Sequence, residues 1–167
     1  RDQPLSEATT VFSGPATDVI VSASVDRTSG YQRTLLHRAV DFFNEQVYQL
    51  RSGELVRIDA PTDASLSVHR DWLLIELRTD WFTGTASYRA GSLLAADYEQ
   101  FLNGTAQLAV VFEPDEPTCL HQYSWTRDRL LIITLADVAS RVEVVTPGTW
   151  QRRPVPDLRS RLAPDRR

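Results

Sequence analysis

The sequence predicts an all-β fold, a β-propeller fragment of about three four-stranded blades with one short helix near residues 96–103. Short runs rich in β-branched and aromatic residues are separated by Gly, Pro, Asp and Asn, as consecutive strands are separated by turns. Similar strands, each opened by an Asp, recur at spacings of 53 and 57 residues. A period of roughly 40–55 residues with four strands per unit is typical of propeller blades.

Strand-like segments fill most of the chain. "SGE" at residues 52–54 is a candidate hairpin turn. The one helical exception is "ADYEQFLNG", where Tyr98, Phe101 and Leu102 share a face and Gly104 suits a left-handed C-terminal cap. No stretch alternates strands with crossover helices, which argues against a doubly wound α/β fold. The predicted strands are residues 19–25, 34–38, 47–50, 55–58, 66–69, 72–78, 92–96, 109–112, 120–125, 130–135 and 142–145.

The repeat has two components. Asp18, Asp71 and Asp128 open "TDVIVSASVDRT", "RDWLLIELRTDW" and "RDRLLIITLADV" within the repeated strands. Pro61 and Pro114 lie in "LVRIDAPTDASL" and "LAVVFEPDEPTCL", which both run from a strand through an acid, a Pro and an acidic turn to a Leu. Stacked β-units repeat in this way because each one buries the same faces against its neighbours. A three-blade piece leaves two faces open, so we expect self-association through them or a larger closed ring.

Composition limits the classes of function. All 18 basic residues are Arg, so lysine-dependent chemistry is excluded. Of the net charge of −4, the Arg- and Pro-rich tail contributes +4 and the first 150 residues −8, which argues against nucleic-acid binding. No apolar run is long enough to span a membrane. We divide the chain into an N-terminal segment (1–17), a partial propeller (18–150) and a linker or tail (151–167). Because it lacks Met, we expect a piece of a longer protein.

Several segments in order resemble bacterial members of the prolyl oligopeptidase family of serine peptidases, over the N-terminal β-propeller part and roughly residues 18–150. The most specific of these segments are "DWLLIELRTDW", "AGSLLA" and "TRDRLLIITLADVASR". The resemblance implies a seven-bladed propeller over an α/β-hydrolase domain, which admits short peptides and excludes folded proteins. It also implies that the parent hydrolyses peptide bonds after proline through a serine acyl-enzyme.

Catalytic residues do not follow from this resemblance. The family's nucleophile lies in a Gly-x-Ser-x-Gly elbow, and this sequence contains no such pattern. "GTASYRAG" has glycines around a serine at the wrong spacing. We therefore expect this segment to be non-catalytic and to use no cofactor. Its expected partners are the parent's hydrolase domain and short peptides.

Arg38, Arg78 and Asp80 are the candidates for substrate-channel residues. Arg78 and Asp80 follow an apolar strand, where a polar lining would steer peptide termini. The alternative, which the residue pattern favours, is a structural Arg–Asp clamp between adjacent blades, because interior charges are usually paired.

Other constellations have simpler interpretations. Cys119 and His121 lie two apart on a predicted strand and so on one face, but a structural Cys beside a strand-end His explains them. The acids of "EPDEP" and "DAPTD" could bind calcium loosely or serve acid–base chemistry, yet Asp and Pro favour solvated turns for backbone reasons alone. We predict no metal site, since there is no paired His spacing and no second Cys. The single Cys fits a reducing compartment, and we expect a cytoplasmic protein.

A second fold and function remain open from the sequence. A free-standing β-sandwich or barrel could bind a carbohydrate or a protein partner through exposed aromatic residues. Trp81, Trp125 and Trp150 could line such a sugar site, although aromatic residues in β-proteins are mostly core. The near-constant interval between Asp-initiated strands argues against this alternative.

Overall fold

A computed structural model describes residues 4–136 and 139–155 as three four-stranded antiparallel sheets, one two-stranded hairpin and two short helical segments. A 3₁₀ turn covers Leu5–Glu7, and the α-helix α1 covers Tyr98–Leu102. The strands are β1 Ile20–Asp26, β2 Arg33–Ala39, β3 Glu45–Arg51, β4 Glu54–Arg57, β5 Ser65–His69, β6 Trp72–Glu76, β7 Trp81–Phe82, β8 Ser87–Tyr88, β9 Leu93–Asp97, β10 Ala109–Phe112, β11 Thr118–Trp125, β12 Leu130–Ala136, β13 Ala139–Thr146 and β14 Gln151–Pro154.

Each large sheet is a meander of strands taken in chain order. Sheet 1 contains β1 to β4, sheet 2 contains β5, β6, β9 and β10, and sheet 3 contains β11 to β14. The small hairpin β7–β8 is inserted between the second and third strands of sheet 2. Three sequential four-stranded antiparallel sheets confirm the predicted fold class, a propeller-like fragment. A two-sheet sandwich or a closed barrel is not the arrangement of these strands.

Every predicted strand overlaps an observed one, and three observed strands were missed. Strands β7 and β8 are two residues long, too short to show alternation. Strand β14 is exposed along its whole length and carries two Arg residues, so it has no apolar pattern. It lies within the predicted tail, residues 151–167, and pairs with β13. Residues 156–167 of that tail lie outside the described residues.

Sheet 2 is buried on both faces. Leu73 and Ile75 pack with Val47 and other residues in a cluster between sheets 1 and 2. The intervening Leu74 points the other way, into a cluster between sheets 2 and 3 that includes Leu130. A strand covered on both faces has no polar side, which explains why β6 and β9 read as continuous apolar runs.

The predicted repeat is correct for the prolines and partly wrong for the aspartates. Pro61 connects β4 to β5 and Pro114 connects β10 to β11, so both join the last strand of one sheet to the first strand of the next. Asp71 and Asp128 precede second strands, whereas Asp18 precedes β1, a first strand. The strand after Asp18 resembles the others in composition, but it occupies a different place in its sheet. Two of the three Asp-initiated strands are therefore equivalent.

The short helix lies within the predicted segment, residues 96–103. The Asp97 carboxylate caps it by accepting a hydrogen bond from the Gln100 backbone N–H at 2.9 Å. Gly104 follows with φ of +71°, the left-handed conformation expected after a helix end. The helix places Tyr98, Phe101 and Leu102 against the cluster between sheets 1 and 2. None of the helices in the described ranges has the length and hydropathy of a bilayer-spanning segment.

The antiparallel meanders give the molecule two distinct ends. We call one the aspartate end, formed by the turns at residues 27–32, 70–71 and 126–129. We call the other the proline end, formed by the connections at residues 40–44, 58–64 and 113–117.

Candidate functional site at the proline end

A cleft of about 280 Å³ opens at the proline end between sheets 1 and 2. The β2–β3 turn forms one wall, the connection through Pro61 forms another, and Arg78 closes the side after β6. The residues that give the cleft its chemistry are Asp41, Phe42, Phe43, Glu45, Asp63 and Arg78. The cleft is therefore an aromatic and charged surface.

The β2–β3 turn is held by its own polar groups. The Asp41 carboxylate accepts hydrogen bonds from the backbone N–H groups of Phe43 at 2.7 Å and Asn44 at 2.8 Å. These donors, Phe43 foremost, lower the pKa of Asp41 below its ordinary value. The Thr62 hydroxyl donates to the Asn44 side-chain oxygen at 2.8 Å, which ties the turn to the Pro61 connection. The turn is thus fixed at both sides.

This fixed turn presents two phenyl rings to solvent. Phe42 is 86% exposed and Phe43 is 72% exposed, whereas a large apolar side chain is usually buried. This pair was not predicted from the sequence, although Asp41 and Asn44 flank it with the residue types that favour turns. Exposed apolar groups on an ordered turn indicate a contact surface.

Arg78 is available for binding at the wall of the cleft. Its side chain makes no ion pair with any residue in the described ranges, and the residue is exposed. The nearby Asp63 carboxylate accepts a hydrogen bond from the Thr79 hydroxyl at 2.8 Å. A guanidinium without a carboxylate partner is suited to a carboxylate ligand, because it can donate two parallel hydrogen bonds.

The predicted pairing of Arg78 with Asp80 is wrong. The Asp80 carboxylate instead accepts a hydrogen bond from the Ala90 backbone N–H at 2.8 Å. It therefore fixes the segment that returns from the β7–β8 hairpin toward β9. Local side-chain-to-backbone bonding of this kind is common for Asp in turns, and it satisfies the carboxylate without an arginine.

Arg38 has the structural role that the sequence favoured, although its partner, Asp18, was not predicted. Its guanidinium donates to both Asp18 carboxylate oxygens, at 2.7 and 2.9 Å, and to Gln46 at 3.1 Å. Arg38 holds the pKa of Asp18 below its ordinary value, and the Asp18 side chain is only 4% exposed. The Arg–Asp clamp therefore exists at Arg38, within sheet 1 and its N-terminal approach, and Arg38 does not line the cleft.

A substitution at Gly14 tests the clamp between Arg38 and Asp18. A Cβ added at Gly14 would lie 2.3 Å from an Asp18 carboxylate oxygen, closer than atoms can approach. We expect Gly14→Ala to displace Asp18 from Arg38 and to speed hydrogen exchange at the Asp18 and Val19 amides. Both amides are hydrogen-bonded, to Pro15 and Ala39 respectively. Native-state exchange followed by NMR is the measurement, with Ser13→Ala as the control. Unchanged exchange in Gly14→Ala would rule out the clamp as the fastening of this segment.

The remaining candidates are dispersed. Strand β11 changes register between Leu120 and Gln122, so the two-residue spacing of Cys119 and His121 does not establish a common face.

Trp81 lines a separate cleft of about 620 Å³ with Tyr88 and Phe101. Trp125 stacks on His69 at 4.6 Å, and Trp150 meets Trp72 edge-on at 5.0 Å. The three Trp residues therefore form no common sugar site. Within residues 4–136 and 139–155, no group of three or more potential metal ligands is assembled.

Comparisons with known proteins identify related peptidases. The chain is 26% identical over 156 residues to an uncharacterized peptidase of Rickettsia prowazekii, covering 87% of this chain and 22% of that protein. It is 27% identical over 152 residues to an uncharacterized peptidase of Sinorhizobium fredii, covering 85% of this chain and 21% of that protein. A solved structure of a post-proline cleaving enzyme from Rickettsia typhi matches 93% of this chain and 24% of its own, with a TM-score of 0.80 and 25% identity. No protein-family model matches the chain.

These relatives confirm the resemblance to the prolyl oligopeptidase family predicted from the sequence. The chain spans about a fifth of the length of the two curated relatives.

Proposed function

From this family resemblance, we propose that the chain is a non-catalytic propeller segment of a larger serine peptidase, where it gates the access of short peptides to a hydrolase domain outside this sequence. The parent reaction is hydrolysis of a peptide bond after proline. The observation that carries the proposal is the match of 93% of this chain to a post-proline cleaving enzyme. The absence of a Gly-x-Ser-x-Gly elbow from the sequence supports the non-catalytic role.

The cleft at the proline end is the surface we assign to peptide contact. Phe42 and Phe43 offer apolar faces, and Arg78 offers a cation for a peptide carboxylate. Neither the phenyl rings nor the guanidinium is a nucleophile or a general base, so we assign these three side chains to binding and orienting the peptide. Its phenyl rings are also suited to packing against the hydrolase domain.

The test compares this chain with the longer protein that carries it, using a peptide with one internal proline. The proposal predicts that the longer protein cleaves the bond after proline and that the 167-residue chain alone leaves the peptide intact. Mass spectrometry of the products identifies the bond. Cleavage by the isolated chain would contradict the non-catalytic role, and cleavage elsewhere by the longer protein would contradict the post-proline reaction.

Arg78 provides a sharper prediction about the cleft. In the longer protein, we expect Arg78→Ala to raise KM about two- to five-fold for peptides with a free C-terminal carboxylate, the size of an exposed charge contact. Peptides with an amidated C-terminus should keep their KM, because the contact requires a carboxylate. The matched control is Arg57→Ala, an exposed arginine 3.9 Å from Asp59 and outside the cleft. An equal change for both peptide classes would reject Arg78 as a carboxylate contact.

The cellular setting belongs to the same proposal. Cys119 is a free, exposed thiol, which is compatible with a reducing cytoplasm. The acidic character of the first 150 residues supports peptides over nucleic acids as ligands.

A further inference from the structure

The turn that ends α1 carries an Asn–Gly pair. The chain has two asparagines, Asn44 and Asn103, and only Asn103 is followed by glycine. The backbone nitrogen of the following residue can attack an asparagine side chain, and glycine hinders that attack least because it has no Cβ. Asn103 and Gly104 are both exposed, and a Cβ added at Gly104 would meet no atom of the described residues within 4 Å. Solvent therefore reaches both reacting groups.

Backbone hydrogen bonds hold the attacking nitrogen away from the side chain in the closed turn. Asn103 has φ of −88° and ψ of 0°, so the Gly104 nitrogen eclipses the Asn103 backbone nitrogen and is turned away from its Cβ. The Gly104 N–H donates to the Phe101 carbonyl at 3.1 Å, and the Thr105 N–H donates to the Gln100 carbonyl at 2.9 Å. A rotation that brings the nitrogen to the side chain breaks these bonds. The reaction therefore requires the turn to open.

The turn opens without the loss of any sheet. Helix α1 has only five residues, and a helix of this length depends on its caps and its packing. Terminal turns with exposed backbone open more readily than buried strands. At the start of α1, the Asp97 carboxylate accepts the Gln100 N–H at 2.9 Å. This cap and the hydrogen bonds of the final turn are the interactions that oppose opening.

Asn44 has the opposite environment. Its side-chain nitrogen donates to both Asp41 carboxylate oxygens, at 3.0 and 2.9 Å, and its side-chain oxygen accepts from the Thr62 hydroxyl at 2.8 Å. The nitrogen that follows it, in Glu45, donates to the Thr62 carbonyl at 2.7 Å. The Asn103 side chain makes no hydrogen bond to any residue in the described ranges. Asn44 is therefore an internal control for Asn103.

We propose that Asn103 is a site of spontaneous modification, at which the side-chain amide is lost and aspartate and isoaspartate form. When the turn opens, hydroxide removes the Gly104 amide proton and the nitrogen attacks the Asn103 Cγ. The N–Cγ bond forms, the Cγ–Nδ2 bond breaks, and Nδ2 takes a proton from water and leaves as ammonia. Water then opens the succinimide ring. Breakage of the N–Cγ bond gives aspartate, and breakage of the original peptide bond gives isoaspartate.

Both products disturb α1. An aspartate in place of Asn103 lies four residues after Glu99, and like charges at this helical spacing repel. Its carboxylate also lies beside the last carbonyls of the helix, where negative charge is unfavourable. Isoaspartate lengthens the backbone and shifts the Gly104 N–H away from the Phe101 carbonyl. Because α1 places Tyr98 and Phe101 against the cluster between sheets 1 and 2, the modification weakens that junction.

The experiment incubates the folded 167-residue chain at neutral and alkaline pH and follows its tryptic peptides by mass spectrometry. Cleavage after arginine separates Asn103, in residues 90–127, from Asn44, in residues 39–51. We expect deamidation of Asn103 that is faster at alkaline pH, with isoaspartate identified by an isoaspartate methyltransferase, while Asn44 stays intact. Asn103→Asp should unfold at a lower urea concentration than the unmodified chain.

Variants of the helix cap test the opening step. Asp97→Ala removes the cap and should speed deamidation of Asn103 about five-fold, the effect of a typical cap on the opening equilibrium. Asp97→Asn keeps a capping side chain and should keep the original rate. Asp80→Ala is the control, since it removes a similar carboxylate-to-amide bond away from α1. Thr105→Val removes only the hydroxyl bond to the Gln100 carbonyl, 3.3 Å long, and should speed the reaction without loss of the fold.

Three results would overturn the proposal. They are an intact Asn103 after a period in which the same peptide, free in solution, deamidates; equal deamidation of Asn44 and Asn103; and unchanged rates in both Asp97→Ala and Thr105→Val. None of these measurements depends on peptide cleavage, so the proposed function is tested separately.

Discussion

Replacing Leu74 by Ala is expected to lower the free energy of unfolding of this chain by about 2–5 kcal/mol. Leu74 has no exposed surface and lies in the cluster that joins sheets 2 and 3. The substitution removes buried methyl groups and leaves a cavity that two packed sheets cannot fill by relaxing. Urea unfolding of both proteins, followed by tryptophan fluorescence, gives the difference directly.

The matched control for Leu74 is Leu131→Ala on sheet 3. Leu131 follows Leu130 in β12 as Leu74 follows Leu73 in β6, but Leu131 is only half-buried by the residues that the structure describes. We expect a cost of about 1 kcal/mol for Leu131→Ala, the transfer free energy of the partly buried atoms without a closed cavity. Equal losses for the two variants would mean that the sheets do not stack in the order described.

Stability is also expected to fall steeply between about pH 10 and 12. Burial raises the pKa of both Tyr98 and Tyr123 to about 12, and the nearby Glu76 carboxylate acts in the same direction on Tyr123. In the unfolded chain these phenols ionise near pH 10. The unfolded state therefore loses protons first, so the stabilisation is complete below about pH 10 and is lost as pH rises toward 12. Tyr98, only 1% exposed, contributes on the order of 2–3 kcal/mol, and half-buried Tyr123 contributes less.

This chain suits the alkaline experiment because it has no Lys, whose titration would overlap. Urea unfolding at several pH values should show a weaker pH dependence in Tyr123→Phe, with Tyr48→Phe as the control. Tyr98→Phe should also weaken the dependence. It additionally removes the hydrogen bond that the Tyr98 hydroxyl donates to Gln49 at 3.0 Å, so its stability falls at every pH. A pH dependence that is the same in all variants would contradict burial of these phenols.

The sequence predicted the strands well where a buried face was present. Apolar patterning and β-branched composition located all the longer strands, including β1, which is exposed along most of its length. Strand β14 was not predicted because it is held by pairing with β13, and its exposed side chains carry no apolar pattern. Asp18 was wrongly matched with Asp71 and Asp128 because composition identifies a strand but does not give the position of that strand in its sheet.

The contacts of the candidate site residues were harder to predict from the sequence than the strands. Arg38, Arg78 and Asp80 were chosen together because they follow or lie on apolar strands. The partners of Arg38 and Asp80, however, come from a distant part of the chain and from the backbone. Arg38 pairs with Asp18 twenty residues away, and Asp80 binds the Ala90 amide. The Phe42–Phe43 turn had only a weak signal, because apolar residues between turn formers usually become buried.

The central claim, that this segment gates a peptidase by size, is tested most directly by one ratio in the longer protein. The same proline-containing sequence is offered as a free ten-residue peptide and as an exposed loop of a stably folded protein, and the two values of kcat/KM are compared. The proposal predicts cleavage of the free peptide and no detectable cleavage of the loop. Comparable cleavage of both substrates would contradict gating by this segment.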